Sequence, residues 1–292
     1  MTASKKYQPL VSRRVREVAL RGVNYSVSEW GDPDAPLVFY LHGWGDTGST
    51  FQFVVDALQS DWHVVAPDWR GFGSSSIDCT SYWFPDYLAD LHALLLIYSP
   101  TEPVRLIGHS MGANVASLYA GTMPERVRAL VNIEGFGLAD SDPAEAPRRY
   151  RQWIESQDDP QHFSEYPDLE SLAYRIRKRS PNMSGAAAIF VAGEWAGEDV
   201  DGTVLLHADP LHKLPNPVLY RRAEAEACWR AITADSLLVT GTESRLVEKL
   251  GGATALLPGT EHVALEKAGH MPHFEAPSSL AQAIERFLLQ TL

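Results

Sequence analysis

The pentapeptide Gly108-His109-Ser110-Met111-Gly112 limits what this chain can fold into more than any other stretch. It follows the apolar run Val104-Arg105-Leu106-Ile107 and precedes Ala113–Ala120, which carries a helical pattern. Strand, tight turn and helix form the setting in which G-x-S-x-G presents a reactive serine. The turn forces Ser110 into a strained backbone conformation with its hydroxyl above the sheet. Side chains at the two glycine positions would collide with the neighbouring strand and helix. The helix that starts after Ser110 aims its free N-terminal amides at an oxyanion formed beside that hydroxyl.

The flanking sequence alternates between strand and helix patterns. Val15–Leu20 and Val23–Trp30, separated by Arg21-Gly22, predict a hairpin. Leu37–Leu41 is a continuous apolar run, as expected of a strand buried on both faces. A helix over about 50–58, a strand at Trp62–Pro67 and a long helix at Tyr82–Tyr98 follow, and a strand at Val127–Ile133 comes after the elbow. This order calls for a parallel sheet with helices on both faces, opened by an antiparallel hairpin. The alternation then stops, and strand chemistry resumes at Ser236–Thr240. We read 1–136 and 235–292 as an α/β core and 137–234 as an inserted helical cap, with helices at Arg148–Gln157, Leu169–Lys178 and Arg221–Ile232. A short strand at His262–Leu265 and an amphipathic helix at Ser278–Leu289 close the chain.

Charge narrows the partners. The 25 basic residues against 37 acidic ones leave a net charge of −12, which disfavours nucleic acid and anionic membrane surfaces. Cys79 and Cys228 make no disulfide framework, and no Cys/His cluster has metal-site spacing. The polar segment 1–10 predicts no secretory leader, and no apolar stretch reaches the roughly 18 residues needed to span a bilayer. The expectation is a cytoplasmic protein without cofactor or metal, acting on a small molecule. A homodimer stays open.

Four motifs occur in order: His42-Gly43-Trp44-Gly45, Asp68-x-x-Gly71-x-Gly73-x-Ser75, the serine elbow, and Gly269-His270 followed by Glu275-x-Pro277. Together they resemble the α/β-hydrolase superfamily, in its serine-hydrolase-like and carboxylesterase branch. The resemblance covers roughly 10–136 and 235–292. It implies a mostly parallel eight-stranded sheet flanked by helices, with the cap inserted.

The resemblance also implies roles. Ser110 is a poor nucleophile at neutral pH until a base takes its proton, and His270, in the loop after the last strand, occupies the base position. The backbone amides of Met111 and Trp44 stand at the oxyanion-hole positions, with Trp44 and His109 as candidate substrate contacts. His42, Asp68 and Arg70 are read as structural. Relatives usually place an aspartate in G-x-x-D after the strand at Leu237–Thr240, but here the segment is Gly241-Thr242-Glu243-Ser244. Serine cannot carry the charge that fixes the histidine tautomer. Glu134, at the end of the preceding core strand, is the preferred substitute, and Glu243 is the alternative. The expected activity is cleavage of a carboxylic ester, thioester or lactone of small to medium apolar acyl groups through an acyl-serine. Carbon–carbon bond hydrolysis, perhydrolysis and a catalytically silent ligand-binding homologue are the competing readings.

Overall fold

The computed structural model describes residues 7–77, 79–157, 161–200, 202–246 and 260–292. The stretch before Tyr7, part of the segment that predicted no leader, lies outside the described residues. Among them no helix is long and apolar enough to cross a membrane.

The main sheet orders its strands β1-β2-β4-β3-β6-β7-β10-β11: β1 Arg14–Leu20, β2 Val23–Trp30, β3 Leu37–Leu41, β4 His63–Pro67, β6 Val104–His109, β7 Val127–Ile133, β10 Asp235–Gly241 and β11 Glu261–Leu265. A two-residue strand, β5 Ser76–Ile77, pairs with β2 off this path. The β1–β2 and β2–β4 pairings are antiparallel and the rest of the path is parallel. Leu20 pairs with Val23, so the first hairpin closes on Arg21 (φ 48°) and Gly22 (φ 77°). Two positive φ values in a two-residue loop match the right-handed twist of the strands.

The apolar runs are continuous because both faces of the sheet are covered. Along β3, Val38 and Tyr40 face a layer containing Phe51, Leu280, Ile284 and Phe287. Phe39 and Leu41 face the opposite layer, with Leu91, Leu94, Val115 and Tyr119. These opposite-face residues belong to helices α2 Phe84–Tyr98 and α3 Met111–Thr122. On the first face the helix predicted over 50–58 is shorter than expected. It is a 3-10 turn at Gly48–Phe51 followed by one turn of α-helix, α1 Gln52–Val55. The terminal helix Pro277–Leu288 completes that layer.

The insertion contains α4 Ala146–Glu155, α5 Leu169–Arg179, α6 Gly185–Trp195 and α7 Arg222–Arg230. Asp168 caps α5 by accepting the Ser171 amide at 2.7 Å, and Ser184 caps α6 by accepting the Ala187 amide at 3.1 Å. Helix α6 has no sequence counterpart above, because Gly185-Ala-Ala-Ala-Ile-Phe-Val-Ala is apolar on every side and shows no helical stripe. A small hairpin, β8 Ala196–Glu198 with β9 Val204–Leu206, was likewise not anticipated.

The apolar centre of the insertion (Leu172, Ile176, Met183, Ala188, Phe190, Val191) includes Phe53 and Phe274 from the core, so the two parts share one packed layer. Helix α7 instead lies against α3. A Cβ built on Gly121 would fall 1.9 Å from the Cys228 carbonyl oxygen, so only glycine permits the approach.

Candidate active site

Ser110 sits between β6 and α3 with φ 51° and ψ −113°, a region costly for any residue with a Cβ. The amide of Ser110 donates to the Ile133 carbonyl at 2.8 Å, which pins the turn to β7. A Cβ on Gly108 would lie 2.5 Å from the Ala113 Cα, and one on Gly112 would lie 2.1 Å from the Leu41 carbonyl oxygen. Both glycines are therefore steric requirements of the elbow.

His270 comes to Ser110 from the far end of the chain. The Ser110 hydroxyl and His270 Nε2 are 3.0 Å apart, and His270 Nδ1 is 3.2 Å from Glu134 Oε2. Glu134 is 2% exposed and stands just beyond the end of β7 with φ 57°. Among the described residues no Lys or Arg side chain pairs with its carboxylate. Three donors converge on it: the Gly241 amide to Oε1 at 2.8 Å, the Ser244 hydroxyl to Oε2 at 2.5 Å, and His270. These bonds replace the water lost on burial. Ser244, the residue found where an aspartate was expected, thus donates to the carboxylate beside His270. Sequence reasoning missed that role, although a hydroxyl at the vacated acid position is a signal that a carboxylate approaches from elsewhere. Glu243 is exposed, and its Oε2 accepts from the Asn182 side chain at 3.1 Å, away from His270. The structure therefore brings Ser110, His270 and Glu134 together and leaves Glu243 apart.

The candidate oxyanion-hole amides lie on either side of the serine. Met111 is the first residue of α3, where amides have no intrahelical acceptor. The loop holding Trp44 approaches so closely that a Cβ on Gly43 would meet Ser110 Cβ at 3.2 Å and His109 Nδ1 at 2.8 Å. Among the described residues neither the Trp44 amide nor the Met111 amide has a hydrogen-bond acceptor. The Trp44 side chain is half exposed and sits at the mouth of the cavity, 5.8 Å from Phe163 between ring centres.

His109 differs from its reading as a substrate contact. It touches the cavity wall but is 1% exposed, and its Nε2–H donates to the His270 carbonyl at 2.7 Å. Burial, with His273 and His270 nearby, holds its pKa well below the ordinary value, so it stays neutral. Its visible contact is with the backbone of the His270 loop. His42 also faces inward: its Nδ1–H donates to the Gly43 carbonyl and its Nε2 accepts from the Trp69 amide, both at 2.7 Å. Burial lowers its pKa to about 4. Asp68 accepts the Gly48 amide at 2.8 Å and the Ser74 amide at 3.0 Å, and burial raises its pKa to about 6. Arg70 is held by Asp90 at 2.6 and 2.7 Å.

Beneath the site lies a second buried network. Asp46 Oδ1 accepts from the Thr47 amide, the Thr50 hydroxyl and the Trp195 indole at 2.8, 2.8 and 2.7 Å, and Oδ2 accepts from His273 at 3.1 Å. Burial opposes the charge on Asp46, but the bond and field of His273 outweigh it, and the pKa falls below the ordinary value. Trp195 belongs to α6, so this carboxylate ties the insertion to the loop that carries Trp44. Asp46, His109 and His273 also offer ligand atoms within 4.8 Å of one another, as a metal site would. Both Asp46 oxygens and His109 Nε2 already serve hydrogen bonds. Only the Nδ1 atoms of His109 and His273 are unpartnered, too few for the usual four ligands of a closed site.

A cavity of about 500 Å³ opens over Ser110 between core and insertion, within the usual size range of small-molecule sites. Phe163, Tyr166 and Trp195 line it, as do Leu172, Ile176, Leu206, Met271 and Phe274. Of the other cap aromatics, Phe190 is buried in the insertion, Tyr174 is exposed and Trp229 packs at α3. Arg175, Arg179 and Lys213, which pattern reading did not single out, also line the cavity.

A family model described as the alpha/beta hydrolase fold matches residues 36–277. A serine hydrolase-like protein of Danio rerio is 30% identical over 187 residues, 62% of this chain, and the match spans only 57% of that relative. A 3-hydroxybutyrate-oligomer hydrolase of Cupriavidus necator is 29% identical over 283 residues, 89% of this chain and 91% of that one. Among solved structures, a thioesterase domain from the curacin biosynthetic pathway superposes with a TM-score of 0.83 at 25% identity, covering 94% of this chain and 99% of that domain.

Proposed function

The chain belongs to the α/β-hydrolase family, and from that premise we propose that it is a serine hydrolase cleaving a carboxylic ester, thioester or lactone through an acyl-serine. The observation that carries the proposal is the 3.0 Å separation of His270 Nε2 from the hydroxyl of Ser110, which itself sits at a positive-φ elbow. Ser110 Oγ attacks the acyl carbon as its proton passes to His270 Nε2. The carbonyl oxygen becomes an oxyanion held by the amides of Trp44 and Met111, each such donor being worth about 3 kcal/mol in the transition state. Collapse breaks the acyl–oxygen or acyl–sulfur bond, and the imidazolium returns the proton to the leaving group. Water then repeats the sequence on the acyl-serine, giving a carboxylic acid and free Ser110. Glu134 accepts the Nδ1–H of His270 through each step. It fixes the Nδ1–H tautomer of His270 and stabilises the imidazolium.

The names of the relatives agree with hydrolysis at an acyl carbon and do not choose between oxygen and sulfur leaving groups. The apolar walls of the cavity suit a small to medium acyl group. The Ser110–His270 spacing favours turnover over a silent ligand-binding role. The test is covalent labelling by a fluorophosphonate, located by peptide mass analysis, together with burst kinetics on p-nitrophenyl butyrate. An adduct on Ser110 and a stoichiometric burst are expected. No adduct, and no turnover across a panel of esters, thioesters and lactones, would refute the proposal.

A further inference from the structure

The cavity over Ser110 carries more positive charge than the chain around it. The protein has a net charge of −12, yet Arg175, Arg179 and Lys213 all line this cavity. Two come from a single helical face. Leu172, Arg175, Ile176 and Arg179 of α5 follow the i, i+3, i+4, i+7 spacing of one stripe, and all four line the cavity. The apolar members of that stripe are buried in the insertion, and the two arginines beside them are exposed along the cavity wall.

Among the described residues no hydrogen bond or ion pair reaches the guanidinium of Arg175 or Arg179. Lys213 Nζ donates to the His162 carbonyl at 2.6 Å and lies 4.7 Å from the Phe163 ring centre, with no carboxylate partner among the described residues. Among the described residues Asp46 is the only acidic side chain that lines the cavity, and both its oxygens already accept hydrogen bonds. Some arginines elsewhere are paired with acids, as Arg13 is with Glu194, Arg70 with Asp90 and Arg222 with Glu226, and others, such as Arg105 and Arg126, donate to backbone carbonyls. Three cations without an acid partner among the described residues thus line one cavity, and an anionic ligand there would accept charge-assisted hydrogen bonds from them.

Building on the hydrolase reading, we propose that Arg175, Arg179 and Lys213 form an anion-recognition subsite, and that the preferred substrate carries a carboxylate or phosphate beyond its scissile carbonyl. The apolar wall takes the carbon chain, the cations take the charged end, and the acyl carbon is thereby held over Ser110.

The test compares kcat/KM for matched charged and neutral esters. For a charge on the acyl side, p-nitrophenyl hydrogen adipate is set against its methyl-capped diester. For a charge on the leaving group, the butyrate of 2-hydroxyethyl phosphate is set against the butyrate of 2-methoxyethanol. At least one charged member should be preferred by about tenfold, through KM, and the preference should shrink as salt screens it. The arm showing the preference identifies the side that carries the charge. The double variant Arg175→Gln/Arg179→Gln should bring the ratio close to one, Arg175→Lys/Arg179→Lys should keep most of it, and Arg177→Gln, whose side chain is not part of the cavity wall, should not alter it. Turnover of neutral esters with no preference in either arm overturns this inference and leaves the hydrolase reading standing, as does a preference that survives the double glutamine variant. Absence of turnover in all four esters overturns this inference, and overturns the hydrolase reading too when it comes with no adduct on Ser110 and no cleavage of the thioesters and lactones.

Discussion

Replacing Glu134 by glutamine changes one atom of a fully occupied carboxylate. As found, Oε1 accepts from the Gly241 amide while Oε2 accepts from Ser244 and His270. A carboxylate is acceptor-only, whereas a glutamine side chain presents one acceptor and one donor group. If the glutamine oxygen faces His270 and Ser244, its NH2 meets the Gly241 amide donor to donor. A buried amide left unpaired in this way costs about 1–3 kcal/mol. If the amide flips, Gly241 is satisfied, but the NH2 faces His270 Nδ1 and favours the tautomer that cannot take the Ser110 proton. Either way the charge that stabilises the imidazolium is gone. The expected loss in kcat is on the order of 10^4, with stability lower by about 1–3 kcal/mol. Glu243→Gln should change kcat less than about twofold, because that exposed carboxylate accepts from Asn182 and does not meet His270. The assay is steady-state hydrolysis of p-nitrophenyl butyrate, with circular dichroism and denaturant titration to show that each variant is folded. A folded Glu134→Gln protein within about tenfold of the wild-type rate would refute the reasoning, as would equal losses from the two variants.

Ser244→Asp alone would bury a second carboxylate against Glu134 and should destabilise the protein by several kcal/mol, on the order of a lone buried charge. Combined with Glu134→Gln it supplies an acid at the position usual among relatives, and should restore at least about a hundredfold of the rate lost in the single variant; no recovery would refute the exchange. Trp195→Phe removes a bond from the insertion to the charged Asp46, and should cost about 2 kcal/mol in denaturant titration; an unchanged midpoint would dismiss this tie. Acid should destabilise the fold. His42 and His212 have folded pKa values lowered to about 4, and His109 lies well below its ordinary value, so their contribution is intact above about pH 6.5 and is lost as pH falls toward 4. His42 alone amounts to about 3 kcal/mol. Asp68, raised to about 6, acts in the opposite sense: its contribution is present at low pH and is lost as pH rises through 6. It offsets roughly His42 alone, so Tm should still fall between pH 7 and pH 4.5, and a flat or rising Tm would refute the balance.

Much of the core was legible because its signals are local. Strands β2, β3 and β7 have the bounds that their apolar runs predict, and the elbow needs small residues where its glycines stand. Local patterns failed where burial removes contrast. Helix α6, apolar on all sides, showed no stripe. The helix expected over 50–58 shrank because Gly48–Phe51 tightens into a 3-10 turn, with Gly48 against the Ala66 carbonyl. The stretch 221–232 does hold a helix, yet its packing on α3 depends on Gly121, more than 100 residues earlier, and no pattern within the stretch announces that.

The sequence by itself determined the sheet, its order of strands and helices, and the serine at a turn that can hold it, because these follow from periodicity and backbone sterics between near neighbours. It also supplied a short list of partners for that serine. The tertiary structure alone decided which carboxylate lies beside His270, that Ser244 donates to it, and that three cations share the cavity wall. Those are distances between residues far apart in the chain, set by how β7, β10 and the insertion pack, and no local pattern encodes them.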